Sequence, residues 1–188
     1  PAAQAADEGA GIGIRVVQAS IVQREKWQRK LQLRNFETHL QLSQENRPDW
    51  VKLVIWPETA ASFYLEDAKL ALDRIKDILR PDDMLITGAP RREVQGDDYQ
   101  LFNGVVVVDS TGNVRDNYNK FHLVPFGEYM PYKDILQLDK ITHGKKDYSA
   151  GAGPRTLQIG QGIPAFSPLV CYEAIFSGSV VNELQHPD

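Results

Sequence analysis

Three side chains that could react together each follow a predicted strand. Glu58 follows LVIWP, Lys120 follows VRDNYN and Cys171 follows SPLV. Ligands bind at the carboxyl ends of strands in α/β sheets, so residues in these positions are candidates for a site. A carboxylate can take a thiol proton, the thiolate can attack a carbonyl carbon, and an ammonium can stabilise both the thiolate and the developing oxyanion. Together the three residue types indicate acyl transfer.

Each of the three residues also fits an ordinary structural role. Free cysteine is among the most buried residue types, so Cys171 at the end of an apolar strand fits a core position. Glu58 after a proline fits a solvated loop or a helix cap, and Lys120 fits a surface charge. The residues that flank them therefore decide between chemistry and packing.

Strands and helices alternate along the first half of the chain. Runs rich in β-branched residues predict strands over residues 12–19, 51–56 and 84–87. Apolar residues at helical spacing predict helices over residues 24–46 and 65–79, and each helix is followed by an Arg-Pro pair. This alternation is typical of an α/β fold.

Antiparallel pairing and a long loop are predicted for the second half. Two β-rich runs, residues 101–109 and 114–119, flank the turn STGN and predict a hairpin. A loop with little periodicity follows over residues 120–162. The remaining predicted elements are strands over residues 156–159 and 168–171 and a helix over residues 173–184.

The order of the elements predicts one α/β domain in which helices cover a mixed sheet. We expect this domain to occupy residues 12–188, after a linker or end segment of residues 1–11. The chain stops at HPD, where the alternation would place another strand. We therefore expect the domain to continue beyond Asp188.

Composition and charge exclude several classes of protein. The 188 residues are 42% hydrophobic and 24% charged, with 21 basic and 25 acidic residues intermixed, so disorder is excluded and no nucleic-acid partner is expected. No stretch reaches the roughly 18 consecutive apolar residues of a membrane span. A single cysteine excludes an internal disulfide and a cysteine-based metal site. The four histidines lack metal-ligand spacing, and GAGIG precedes a strand instead of following one, so we expect neither a metal nor a cofactor.

Three segments around the candidate residues resemble the signature segments of the nitrilase, or carbon–nitrogen hydrolase, superfamily. They are WPE at residues 56–58, NKFHLVPFGEYMP at residues 119–131 and LVCYE at residues 169–173. More narrowly, HLVPFGEYMP followed by LVCYE resembles the apolipoprotein N-acyltransferase family, bacterial inner-membrane enzymes that add the third acyl chain to lipoproteins. The likeness runs from about residue 14 to about residue 184, nearly the whole chain.

The resemblance implies a nitrilase-like α-β-β-α sandwich and a role for each reacting residue. Glu58 corresponds to the general base, Lys120 to the lysine that stabilises the oxyanion, and Cys171 to the nucleophile. Glu128, in PFGEY, corresponds to a second carboxylate near this triad that orients Lys120.

Three further residues match the family beside the triad. Tyr172 and Glu173 match the residues that follow the nucleophile, and Trp27 matches a tryptophan on the substrate side. Trp27 also fits a core position on a helix face, and Glu173 also fits a carboxylate favoured at the start of a helix. The sequence leaves both alternatives open.

The resemblance also implies a reaction. An acyl chain would move from a phospholipid, through a thioester on Cys171, to the N-terminal amine of a diacylglyceryl-cysteine apolipoprotein. The domain would lie on the periplasmic side of the bacterial inner membrane, held there by segments outside this chain. Two alternatives are a soluble nitrilase-family amidase, in which water resolves the thioester, and a non-catalytic lipid- or protein-binding module that keeps the fold.

The loop over residues 121–162 is unusually apolar for a connection. Such a surface is suited to contact with lipid or acyl chains, or to packing over the sheet as an ordinary lid. The apolar side chains concerned are Phe121, Leu123, Phe126, Tyr129, Met130, Tyr132, Ile135 and Leu136.

Overall fold

A five-stranded mixed sheet forms the centre of the fold. The structure is a computed structural model that describes residues 11–129, 146–160 and 162–176. The strands lie side by side in chain order: β1 (Gly13–Val16), β2 (Val51–Ile55), β3 (Met84–Gln95), β4 (Asp98–Asp109) and β5 (Val114–Asn119). The first three strands are parallel, and β4 and β5 each pair antiparallel with the preceding strand. The expected α/β class with a mixed sheet is confirmed.

Each predicted helix is shorter or more divided than its apolar spacing indicates. The helices are α1 (Gln23–Lys26), α2 (Arg29–Gln44), α3 (Lys69–Ile78) and two 3-10 helices, Leu65–Asp67 and Cys171–Ile175. The helix predicted over residues 24–46 is interrupted because Gln28 is extended, with φ −73° and ψ 108°. The helix predicted over residues 65–79 begins as a 3-10 turn because Ala68 leaves the helical region, with φ −99° and ψ 73°.

The two faces of the sheet bury two separate apolar clusters, because successive side chains of a strand point to opposite faces. On one face, helices α2 and α3 cover the sheet, and Phe36 and Ile75 pack in a cluster with Val54. On the other face, Leu157 packs in a cluster with Leu53 of the sheet. The helical layer, the sheet and the later loop segments therefore form three layers.

Strand β3 is much longer than predicted. It was expected over residues 84–87, but it continues to Gln95 and pairs with β4 through twelve residues. Gly96, with φ +63°, forms part of the tight turn between the two strands. Strands β3 and β4 together form a long two-stranded ribbon. The outer part of this ribbon is exposed on both faces, so it lacks the alternation of apolar and polar residues that predicts a strand.

The strands predicted over residues 156–159 and 168–171 are wrong. The first contributes a single bridge, Leu157 to Phe166, and the second contains no ladder. Gly160 and Gly162 have positive φ, which turns the chain away from an extended path. Cys171 also has positive φ and opens a 3-10 helix.

Several predictions fall outside the described residues. They concern the linker up to residue 10, the loop residues Met130, Tyr132, Ile135 and Leu136, and the helix beyond residue 176. The described helices are all too short or too polar to cross a bilayer.

Candidate active site

The topology places Glu58 and Lys120 at the same edge of the sheet. Glu58 follows the end of β2, and Lys120 follows the end of β5. Because β3 runs with β2 and two antiparallel pairings follow, β5 points in the same direction as β2. The carboxyl ends of both strands therefore meet at the edge where α/β sheets bind ligands.

Asn103 of β4 joins two carboxylates at this edge. Its amide Nδ2 donates to Glu58 Oε1 at 2.7 Å and to Glu128 Oε1 at 2.7 Å. Asn103 is 6% exposed, and its main-chain oxygen accepts from Lys120 N at 2.9 Å. Asn103 was not among the predicted site residues, although an asparagine within the apolar run LFNGVVVV is a usable signal.

Glu128 holds the Lys120 side chain in the interior. Lys120 is 1% exposed, and its Nζ lies 2.8 Å from Glu128 Oε2. The same carboxylate oxygen accepts from Val124 N at 2.8 Å. A buried ammonium needs such a partner, because an unpaired charge in the interior is costly.

The two carboxylates differ in how many of their lone pairs are engaged. Glu128 accepts from Lys120, Asn103 and the main chain of Val124, so both of its oxygens are occupied. Among the described residues, the side chain of Glu58 accepts one hydrogen bond, from Asn103. Glu58 thus retains free lone pairs for an incoming proton, whereas Glu128 serves to fix Lys120.

Gly88 lets the turn that carries Glu58 lie directly against β3. A Cβ at position 88 would stand 2.6 Å from Glu58 Cα and 2.5 Å from Thr59 N. Any larger residue would therefore push the Glu58 turn away from the sheet.

Cys171 opens onto a cavity that Glu58 also lines. The cavity measures about 480 Å³, and Ile55, Val105 and Leu169 contribute apolar side chains to it. Cys171 is exposed and has φ +52°, an uncommon conformation for a residue with a Cβ. Within the described part of the chain, no hydrogen bond joins the thiol to Glu58 or Lys120. The structure therefore brings the thiol and the carboxylate to one cavity without direct contact.

Glu173 ties the segment that carries Cys171 to the segment that carries Lys120. Its Oε2 accepts from Val170 N at 2.8 Å, directly before Cys171. Its Oε1 accepts from the main-chain N–H groups that directly follow Lys120, Phe121 at 2.8 Å and His122 at 3.3 Å. The carboxylate is 1% exposed, so these bonds form away from water. The sequence predicted a helix that starts at Glu173, whereas the structure has a 3-10 helix that starts at Cys171 and has Glu173 as its third residue. The long-range contacts of Glu173 were not predicted.

Tyr118 completes the set of donors to Glu173. The Tyr118 hydroxyl donates to Glu173 Oε1 at 2.8 Å. Burial raises the pKa of Tyr118 well above its usual range, and the hydrogen bond to Glu173 and the charge of that carboxylate raise it further. The phenol therefore stays protonated in the folded protein.

Replacing Tyr118 by phenylalanine is expected to lower the free energy of unfolding by about 1–3 kcal/mol at neutral pH, because Glu173 loses a buried donor. The raised pKa stabilises the fold fully below the ordinary tyrosine pKa of about 10, and this contribution is lost as pH rises towards the folded value. The variant should therefore lose stability less steeply than wild type above about pH 10. Urea unfolding on both sides of that pH measures the difference. Tyr99→Phe, at a more exposed tyrosine of β4, is the control, and parallel alkaline declines in wild type and Tyr118→Phe would contradict the expectation.

The side chains of Tyr172 and Trp27 form no hydrogen bond with Glu58 or Glu128 among the described residues. The Tyr172 ring is exposed and meets Phe176 edge to face, with ring centroids 5.1 Å apart. Trp27 lies at the end of α1 and lines a second cavity of about 430 Å³ together with Tyr64 and Tyr148. Burial raises the pKa of Tyr148 to about 12, and its main-chain N–H donates to Glu128 O at 2.9 Å. The Trp27 cavity therefore reaches the neighbourhood of Glu128.

The arrangement supplies the parts of acyl-transfer chemistry: a thiol, a carboxylate with free lone pairs and a buried ammonium. No group of three or more potential metal ligands occurs among residues 11–129, 146–160 and 162–176. The side chains that converge are suited to moving protons and stabilising an oxyanion.

The sequence is similar to that of a known protein family and of several curated proteins. The sequence matches the carbon-nitrogen hydrolase family over residues 13–186. An apolipoprotein N-acyltransferase of Rhizobium rhizogenes is 38% identical over 188 residues, covering 93% of this chain and 34% of the relative. Another, of Rickettsia prowazekii, is 36% identical over 170 residues, covering 90% of this chain and 34% of the relative. The chain spans about a third of the length of these curated relatives.

The fold also resembles that of a solved enzyme. A double mutant of an amidase from Nesterenkonia sp. AN1, in complex with acrylamide, matches with a TM-score of 0.56 at 15% sequence identity. The match covers 90% of this chain and 59% of the amidase. At this identity the likeness concerns the fold alone, and it supports the nitrilase-like architecture expected from the sequence.

Proposed function

Because the chain belongs to the carbon-nitrogen hydrolase family, we propose that it carries the catalytic part of an apolipoprotein N-acyltransferase. The observation that carries this proposal is the cavity shared by Glu58 and Cys171, with Lys120 joined to Glu58 through Glu128 and Asn103. The named relatives, at 38% and 36% identity, support the acyltransferase assignment. The apolar lining of the cavity suits an acyl chain.

In the first half-reaction, Cys171 takes the acyl group from a phospholipid. Glu58 accepts the thiol proton while Sγ attacks the ester carbonyl carbon, and Lys120 stabilises the oxyanion of the tetrahedral intermediate. The C–O bond then breaks, and the leaving oxygen of the lysophospholipid takes the proton from Glu58. The product on the protein is a thioester at Cys171.

In the second half-reaction, the free amine of a diacylglyceryl-cysteine apolipoprotein attacks the thioester carbonyl. Glu58 accepts a proton from the amine nitrogen, the C–N bond forms and the C–S bond breaks. The proton returns to the Cys171 sulfur. In this scheme Glu128 holds Lys120, Glu173 holds the Cys171 segment, and Trp27 contacts substrate. Tyr172 has a supporting role beside the nucleophile.

The proposed partners are therefore a phospholipid donor and a lipoprotein acceptor, without a cofactor. The proposed location is the periplasmic side of the bacterial inner membrane, with anchoring segments outside this chain. Exposed Phe126 belongs to the apolar loop that would contact lipid.

A soluble amidase is the second candidate function, because the family that matches residues 13–186 is the carbon-nitrogen hydrolase family. The thioester chemistry is the same in both candidates, but an amidase forms it from an amide and resolves it with water. The two functions therefore differ in the acyl donor and in the final acceptor.

Intact-mass analysis of the full-length protein with a defined phosphatidylethanolamine tests the proposal. We expect the mass of one acyl chain on Cys171, lost as thioester when a diacylglyceryl-cysteine peptide is added, with the acyl chain recovered on the peptide amine. A simple aliphatic amide serves as the competing donor. Acylation by the amide but not by the lipid would establish the amidase instead, and no adduct from either would favour a binding module.

A further inference from the structure

The turn that carries Glu58 is held by two side chains from outside the sheet. Lys26 Nζ, at the end of α1, donates to the main-chain oxygen of Glu58 at 3.2 Å. Gln32 Nε2, in the first turns of α2, donates to the main-chain oxygen of Ser62 at 2.7 Å. Carbonyls at both ends of the segment 58–62 therefore depend on the α1–α2 region.

The sheet holds the same turn at other points. Trp56 N donates to Ile86 O at 2.8 Å, and Ala61 N donates to Gly88 O at 3.2 Å. Among the described residues, Lys26 is the donor to the Glu58 carbonyl itself. Thr59, the next residue, has φ +55°, so the chain reverses sharply at this point. The orientation of Glu58 is thus set between the sheet on one side and Lys26 on the other.

Helix α1 is attached to the fold mainly through polar contacts. It spans four residues and has no buried residue. Asn35 Nδ2 donates to Glu25 O at 3.4 Å, and Arg34 Nη2 lies 3.3 Å from Glu25 Oε2. Trp27, which directly follows Lys26, lines the 430 Å³ cavity. The same short segment therefore carries the contact to Glu58 and part of the wall of this cavity.

The space between α1 and the turn is polar and narrow. A cavity of about 60 Å³ is lined by Lys26, Asn35, His39 and Thr59, among others. Asn35 is 3% exposed, and its Oδ1 has no partner among the described residues. A polar cavity of this size can hold ordered water, which would supply the missing donor.

We propose that Lys26 is a positioning residue for Glu58, because its Nζ holds the main-chain oxygen of that residue. The inference rests on the proposed function, because it takes Glu58 as the base. Lys26 does not touch the reacting atoms in this arrangement. It acts by fixing the main chain of Glu58, so its loss should slow proton transfer from Cys171 while leaving substrate binding intact.

Lys26→Met tests the proposal, because it keeps the aliphatic stem and removes the donor. We expect the acylation rate constant at saturating phospholipid to fall by about 10- to 100-fold, the scale of a misplacement of about 1 Å. The half-saturating phospholipid concentration should stay within about twofold of wild type. Lys26→Arg retains a cationic donor and should recover most of the rate, and Lys30→Met, at an exposed lysine of α2, is the matched control.

Trp27→Ala gives the opposite signature, a raised half-saturating concentration. An unchanged rate in Lys26→Met, a shift in half-saturation alone, or a fall of the same size in Lys30→Met would overturn the positioning role. Alkylation of Cys171 by iodoacetamide provides a readout that needs no lipid. If phospholipid fails to acylate wild type but Lys26→Met slows alkylation, the proposed substrate is wrong and the positioning role holds. If alkylation is equal in both, the positioning role fails as well.

Discussion

Replacing Cys171 by alanine is expected to abolish acyl-enzyme formation completely. These 188 residues contain one cysteine, so no second thiol within them can take over the attack on the carbonyl carbon. Alanine keeps the Cβ at φ +52°, so the variant meets the same backbone constraint as wild type and should fold equally well. Intact-mass analysis after incubation with phosphatidylethanolamine should show no acyl adduct, and the melting temperature should be unchanged.

Cys171→Ser is the matched variant for this prediction. A hydroxyl is a weaker nucleophile than a thiolate, so we expect a small amount of oxygen ester that forms slowly and resists transfer to the amine. An acyl adduct that forms on the alanine variant at the wild-type rate would place the nucleophile elsewhere. The cavity shared by Glu58 and Cys171 would then no longer support the proposed function.

Glu58→Gln is expected to slow thioester formation by about 10²- to 10⁴-fold, the usual contribution of a general base. Glutamine has the shape of glutamate and still offers an oxygen to Asn103 Nδ2, so the contact at 2.7 Å can persist. It cannot accept the thiol proton. The rate constant of acylation, measured by quenched-flow mass analysis, separates this effect from a loss of substrate binding.

The control for Glu58→Gln is Asp97→Asn, an exposed carboxylate at the tip of the β3–β4 ribbon. It removes one negative charge far from the cavity and should leave the rate unchanged. Normal thioester formation in Glu58→Gln would refute the role assigned to Glu58, and Glu128 would then have to be considered as the base.

Local signals in the sequence predicted the strand positions well but not every strand length. The β2, β4 and β5 segments each begin or end within a few residues of their apolar or β-branched runs. The long ribbon of β3 escaped prediction because its outer residues face water on both sides. Of the later predicted strands, the first is followed by turns at Gly160 and Gly162, and the second ends at Cys171, which has positive φ and starts a 3-10 helix. Conformation at single residues therefore overrode local propensity.

The sequence predicted the candidate reacting residues of the site but not the hydrogen bonds that hold them. Glu58, Lys120 and Cys171 could be found because each follows a strand signal. The roles of Asn103 and of the Glu173 contacts depend on partners that lie 25 to 55 residues away in the chain. Such contacts follow from the folded topology and have no local pattern.

The position of Asn103 affects whether Glu58 and Glu128 can share a proton. When two carboxylates touch directly, they commonly share one proton, and neither can be called its sole owner. Here an amide stands between Glu58 and Glu128 and donates to both. An amide does not ionise in the physiological range, so it transmits position without relaying protons. In the proposed mechanism, Asn103 therefore keeps the proton that Glu58 accepts from passing to Glu128.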